Sequence, residues 1–210
     1  MFYFIKTPGW VKNVFPKRAW SVDTEKKEIF LTFDDGPHPV HTSFVLEELN
    51  KYNAKASFFC IGKNVVEHPH IYRQILEEGH TVGNHTYSHL NAWKVNNVEY
   101  LQDIKKAQQY IDSKLFRPPY GKINSFLVNQ LASPAYNLQT IMWTVLSADF
   151  DTGISPERCA ENVLLHAKEG SIIVFHDSDK AAERMRYALP QVLKYFSEKG
   201  FVFSKIEDRS

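Results

Sequence analysis

Cysteine is scarce. Cys60 and Cys159 are the only two in 210 residues, too few for a disulfide framework. Cys60 lies inside the apolar run SFFCIG and reads as a small core residue. An excess of one charge is also missing. Twenty-five Lys and Arg against 24 Asp and Glu give a formal net charge of +1, so nothing points to nucleic acid or another polyanion as partner. No apolar run approaches the roughly 20 residues of a membrane-spanning helix. The N-terminal apolar run is broken by Lys6 and Pro8, shorter than the core of a signal peptide. A cytoplasmic location is the resulting expectation. Repeats, low-complexity tracts and linkers are absent as well.

What remains is the composition of one globular domain, 43% hydrophobic and 23% charged. Residues 1–28, aromatic and mildly basic, read as an N-terminal extension packing on a domain of residues 29–210. Runs rich in β-branched and aromatic residues predict strands at 29–33, 56–61, 80–84, 114–118, 138–143, 171–176 and 201–206. Helical spacing lies between them. Val45, Leu49 and Tyr52 share a face, as do Tyr100, Ile104, Ala107 and Ile111. Pro69 opens a helix that Gly79 stops, and Met185, Leu189, Val192 and Phe196 form a long stripe ended by Gly200. About seven strand–helix units predict a parallel sheet. They fit either an incomplete α/β barrel or a doubly wound sheet, which periodicity alone does not separate.

In such folds chemistry gathers at the C-terminal strand ends. The first end carries Asp34 and Asp35, the third His85 and then His89, and the fourth Arg117 and Tyr120. The fifth is followed by Asp149 and Phe150, and the sixth gives His176 and Asp177. His85 and His89, four apart on one helical turn, face the same way and can share a metal. With one Asp they leave open coordination positions, as in catalytic zinc sites. The same set describes a non-haem iron triad, so metal and reaction stay open at this point. Consecutive residues leaving a strand point to opposite sides, so one of the paired aspartates can ligate while its neighbour takes a proton from water. Two prolines limit the reach of Arg117, which suits it to hold a carboxylate ionised. His176 is a candidate general acid, oriented by Asp149. Trp143, Phe150, Phe175 and Tyr120 can stack on sugar rings or pack in the core. The other six histidines, 38, 41, 68, 70, 80 and 166, read as surface or turn residues.

Taken together, TFDDG (32–36), HTYSH (85–89) and RPPYG (117–121) resemble, in order and spacing, the polysaccharide deacetylases of the NodB-homology type, carbohydrate esterase family 4. The resemblance covers about residues 29–206. It implies a distorted (β/α) barrel of about seven units. It implies Asp34 as base, Asp35, His85 and His89 as metal ligands, and Arg117 as the residue orienting the base. It also implies that the Tyr120 N–H holds the oxyanion, Asp149 tunes His176, and Phe150 and Val174 border the acyl methyl. The family's usual Asp-Trp is Asp149-Phe150 here, its acidic residue three before that Asp is Leu146, and its usual Leu two before the His is Val174. The implied reaction is metal-dependent hydrolysis of a non-peptide amide, N-deacetylation of amino sugars in a chitin- or peptidoglycan-type glycan. The implied cofactor is one divalent ion, zinc first, with cobalt or another as alternatives. A same-fold amidase acting on a small molecule and a catalytically silent glycan-binding protein are the other readings. The family usually works outside the cytoplasm, in tension with the location read from the N-terminus.

Overall fold

The apolar run at residues 28–34 forms β1 (Glu28–Asp34), buried from Ile29 to its end. Burial on both faces is what a central parallel strand requires. The computed structural model describes residues 3–207. In it β1 pairs in parallel with β2 (Ser57–Cys60), with β7 (Ile172–His176) and, at its start, with β8 (Val202–Phe203). β3 (Thr81–Asn84), β4 (Leu115–Phe116) and β5 (Gln139–Thr140) extend the sheet on one side, and β6 (Val145–Leu146) on the other. The order is β5-β4-β3-β2-β1-β7-β6, an incomplete (β/α) barrel as expected.

Side chains alternate along the strands. Leu31, Phe33, Ile173 and Phe175 join the main core cluster with apolar residues of α2 (His41–Lys51), α7 (Pro156–Leu164) and α8 (Ala182–Glu198). Phe30 and Ile172 belong to a separate cluster with Phe59, Leu115 and Ile141. Thr32, Asp34, Val174 and His176 share this second side, and the register sets Asp34 opposite His176. The remaining helices are α1 (Gly9–Val14), α3 (Gly62–Glu67), α4 (Pro69–Glu77), α5 (Asn97–Ala107) and α6 (Ser125–Leu131).

Of the run expected as one strand at 138–143 only Gln139–Thr140 is strand, β5, and a second two-residue strand, β6, follows beyond it at Val145–Leu146. Each pairs away from the other, with β4 and β7 respectively. Asp149 therefore follows β6. The N-terminal segment bonds to both edges. Ala19 N–H donates to Thr140 at 2.9 Å and Met142 N–H to Ala19 at 2.7 Å, while Thr7 N–H donates to Thr144 at 2.9 Å and Leu146 N–H to Ile5 at 2.8 Å. Sheet edges covered in this way are closed to stray pairing.

Candidate active site

Asp34 ends β1 with its side chain nearly buried, and Arg117 Nη1 donates to its Oδ1 at 2.7 Å. Arg117 is fully buried, one residue past β4. It also donates to Thr32 Oγ1 at 2.6 Å and to the carbonyls of Met142 and Ile141 at 3.1 and 3.4 Å. Its guanidinium lies 4.0 Å from the Phe59 ring centroid. A buried cation held on this many sides is a fixed counter-charge. Burial lowers the Arg117 pKa, and Asp34 opposes that shift.

Asp35, His85 and His89 bring one ligand atom each to within 4.8 Å of one another. Asp35 Oδ1 lies 3.2 Å from His89 Nε2 and 3.8 Å from His85 Nε2. Two observations fit this trio to a divalent cation. Asp35 Oδ1 is buried without a hydrogen-bond partner, a costly state for a carboxylate oxygen that nothing ligates. His85 Nδ1 pairs with the Arg117 carbonyl at 2.7 Å. That pairing fixes the tautomer, with the proton on Nδ1 and the Nε2 lone pair turned to the trio. Burial would raise the Asp35 pKa, but the close approach of His89 and the charges of His176 and His85 bring it well below the carboxylate range. Burial and His89 push His85 down to about 4, against the pull of Asp34 and Asp35, so its nitrogen is free to ligate at neutral pH.

The HTYSH stretch is not the helical turn its spacing suggests. Residues 85–90 are irregular, with Thr86 and His89 at φ +64° and +57°. Other acceptors replace the helical ladder. The Asp103 carboxylate takes the N–H groups of Tyr87 and Ser88 at 2.8 and 2.9 Å, and Asn84 Oδ1 takes that of Thr86 at 2.8 Å.

His176 ends β7. The buried Asp149 carboxylate accepts its backbone N–H at 2.6 Å and faces its Nδ1 at 2.7 Å. Burial lowers the imidazole pKa, but the Asp149 charge and hydrogen bond, with Asp35 and Asp34, lift it to about 10. A protonated imidazole with Nδ1 committed has Nε2–H left to donate. Arg184, buried at the start of α8, donates Nε–H to the Asp149 carbonyl at 2.6 Å. Nothing in the sequence signals that role, since Arg184 adjoins an apolar stripe like any helix-flanking cation.

Tyr120 stands at φ +61°, exposed, with its ring centroid 4.7 Å from that of His89. The turn's own bonds run from Gly121 N–H to Pro118 and from Lys122 N–H to Pro119, leaving the Tyr120 N–H outside them. Gly121, at φ +66°, allows the Trp143 ring to approach, since a Cβ would lie 2.5 Å from it. Phe150 packs edge-on against His176 at 5.3 Å. Val174 lies on the His176 side of β7 but is fully buried, beside Thr32 and Leu146. Phe175 is core, as one of its two readings had it.

Two of the six other histidines are not surface residues: His41 and His80 are buried. His80 Nδ1 accepts the Ala56 N–H at 3.2 Å, and burial with Lys55 and Lys205 nearby lowers its pKa to about 4. His38, His41 and Asp179 form a second close group. His38 Nδ1 accepts the N–H groups of Val40 and His41 at 3.2 Å, so its proton sits on Nε2, 3.4 Å from Asp179 Oδ1. That nitrogen has no lone pair for a cation, and the group is a hydrogen-bonded cap at the start of α2.

A family model for polysaccharide deacetylase matches residues 21–138. The chain is 40% identical over 177 residues to a peptidoglycan-N-acetylglucosamine deacetylase of Bacillus cereus, covering 81% of this chain and 62% of that protein. It is 34% identical over 175 residues to a chitooligosaccharide deacetylase of Azorhizobium caulinodans, covering 79% and 82%. A crystal structure of a peptidoglycan N-acetylglucosamine deacetylase superposes with a TM-score of 0.85 at 33% identity, covering 95% of each chain.

Proposed function

The chain belongs to the polysaccharide deacetylase family, and on that premise we propose that it is a hydrolase removing acetyl groups from N-acetylated amino sugars of a chitin- or peptidoglycan-type glycan. The observation that carries this reading is the convergence of three units at neighbouring strand ends: Asp34 on Arg117, the Asp35–His85–His89 trio, and Asp149 on His176. Asp35, His85 and His89 hold the divalent cation, zinc in this reading. Bound there, it supplies Lewis-acid polarisation and lowers the pKa of water.

Asp34, held in place by the Arg117 guanidinium, takes the proton of the attacking water. The Tyr120 N–H donates to the carbonyl oxygen of the scissile amide as negative charge develops on it. His176 Nε2–H, across the site, protonates the departing nitrogen, while Asp149 and the Phe150 edge hold the ring in place. Acetate and a free amine are the products.

The test is acetate release from chitin oligomers, peptidoglycan and small acetamides, each with zinc, with cobalt or after chelation. Release from a glycan that disappears on chelation and returns with metal supports the reading. Release from small amides alone would replace it with the amidase reading.

A further inference from the structure

β2 lies between β1 and β3, the strands whose exits carry Asp35 and His85. The β2 exit supplies none of the three ligand atoms, yet it is bonded to both ligand loops. On one side Ile61 N–H donates to the Gly36 carbonyl at 2.9 Å and Asn64 Nδ2 to the Asp35 carbonyl at 2.7 Å. On the other, Gly62 N–H donates to Thr86 at 2.9 Å and Lys63 N–H to Tyr87 at 3.0 Å, between the two histidines. Four consecutive residues thus span the gap between Asp35 and the imidazoles.

Asp177, one residue past β7, holds the same loop from the opposite flank. It is 1% exposed. Its Oδ1 accepts the Gly36 N–H at 2.9 Å, its Oδ2 accepts the Thr42 hydroxyl, and its own N–H donates to the Asp34 carbonyl at 3.1 Å. Gly36 leaves room for this contact, because a Cβ there would lie 2.2 Å from Asp177 Oδ2.

Asp35 needs such support. Its φ of +84° lies in the left-handed region, which a residue with a side chain occupies only when its surroundings impose it. The atoms that follow it are all held: its carbonyl by Asn64, the Gly36 N–H by Asp177 and the Gly36 carbonyl by Ile61.

We propose that Asn64 and Asp177 are positioning residues that lock Asp35 in this conformation and set its spacing from His85 and His89, and so set the affinity of the site for its metal. The inference rests on the trio being the metal site. Neither residue is a ligand, and their action is through the backbone on either side of Asp35.

The experiment is a Zn2+ titration of the chelator-stripped protein against a chromophoric chelator, with no substrate present. Asn64→Ala and Asp177→Asn are each expected to bind Zn2+ about 10- to 100-fold more weakly than wild type, the usual effect of losing an outer-sphere partner. Thr42→Val is expected to weaken it less, with Thr42→Ser restoring it. Metal-free Asn64→Ala is expected to melt close to wild type, which separates positioning from general stability. Asp177 is buried, so if Asp177→Asn fails to fold, Asn64→Ala and the Thr42 pair decide the matter. Wild-type affinity in Asn64→Ala and Thr42→Val overturns this inference alone. A wild-type protein that binds no Zn2+ overturns it together with the metal site.

Discussion

His176 carries the residue-scale argument most directly. It must be protonated to act as an acid, and Asp149 is the strongest of the charges that keep it so, against the opposing effect of burial. Asp149→Asn preserves shape and removes the charge, so the pKa of His176 falls. The alkaline limb of the rate–pH profile is then expected to move to lower pH, with metal content unchanged. An unmoved limb would make Asp149 a loop residue only. The same shift has a stability consequence. The folded-state pKa of about 10 lies above the ordinary His value near 6.5. The protonated ring therefore stabilises the fold fully below about pH 6.5, and that contribution is lost as pH rises toward 10. Metal-free wild type is expected to lose melting temperature across this window, and His176→Gln to lose less. Equal losses in the two proteins would count against the coupling.

Between residue and fold stand the loops, and here the sequence was only partly legible. The strand ends were legible because apolar runs stop at charged or imidazole side chains, as at Phe33-Asp34 and Phe175-His176. The HTYSH loop is not legible in the sequence, because four-residue spacing suits a helix whereas the acceptors of its N–H groups, Asn84 and Asp103, come from β3 and α5. β6 leaves no sequence signal, because a two-residue strand has no period to read. Asn64 and Arg184 act through backbone carbonyls far away in sequence, which no spacing records. The loop's dependence on Asp103 can be tested. Asp103→Ala leaves two N–H groups without their charged acceptor, with an expected stability loss of about 1–3 kcal/mol in urea unfolding. Weaker Zn2+ binding is expected with it. Undiminished affinity would mean that the loop holds its shape without α5.

At the scale of the whole molecule the open barrel depends on its N-terminal segment, which bonds both edge strands. Trp20 is buried in that segment, with its indole N–H donated to the Phe15 carbonyl at 3.0 Å. Trp20→Ala is expected to cost about 3–5 kcal/mol, the range for truncating a core aromatic, read as a lower urea midpoint. A loss below about 1 kcal/mol would show the segment to be dispensable to the fold. The same architecture delivers the site, because sheet order and register set Asp34 opposite His176 and place the two ligand loops on either side of the β2 exit. The adjacent aspartates that leave β1 thus have separate tasks, one on Arg117 and one facing two imidazoles. The most direct test measures bound metal and acetate release on the same preparations of wild type, Asp34→Asn and Asp35→Asn. Asp34→Asn is expected to keep its metal while turnover falls at least about 10²-fold, the scale of a lost general base. Asp35→Asn is expected to lose the metal itself. Equal metal loss in both variants would contradict the division of labour at this site.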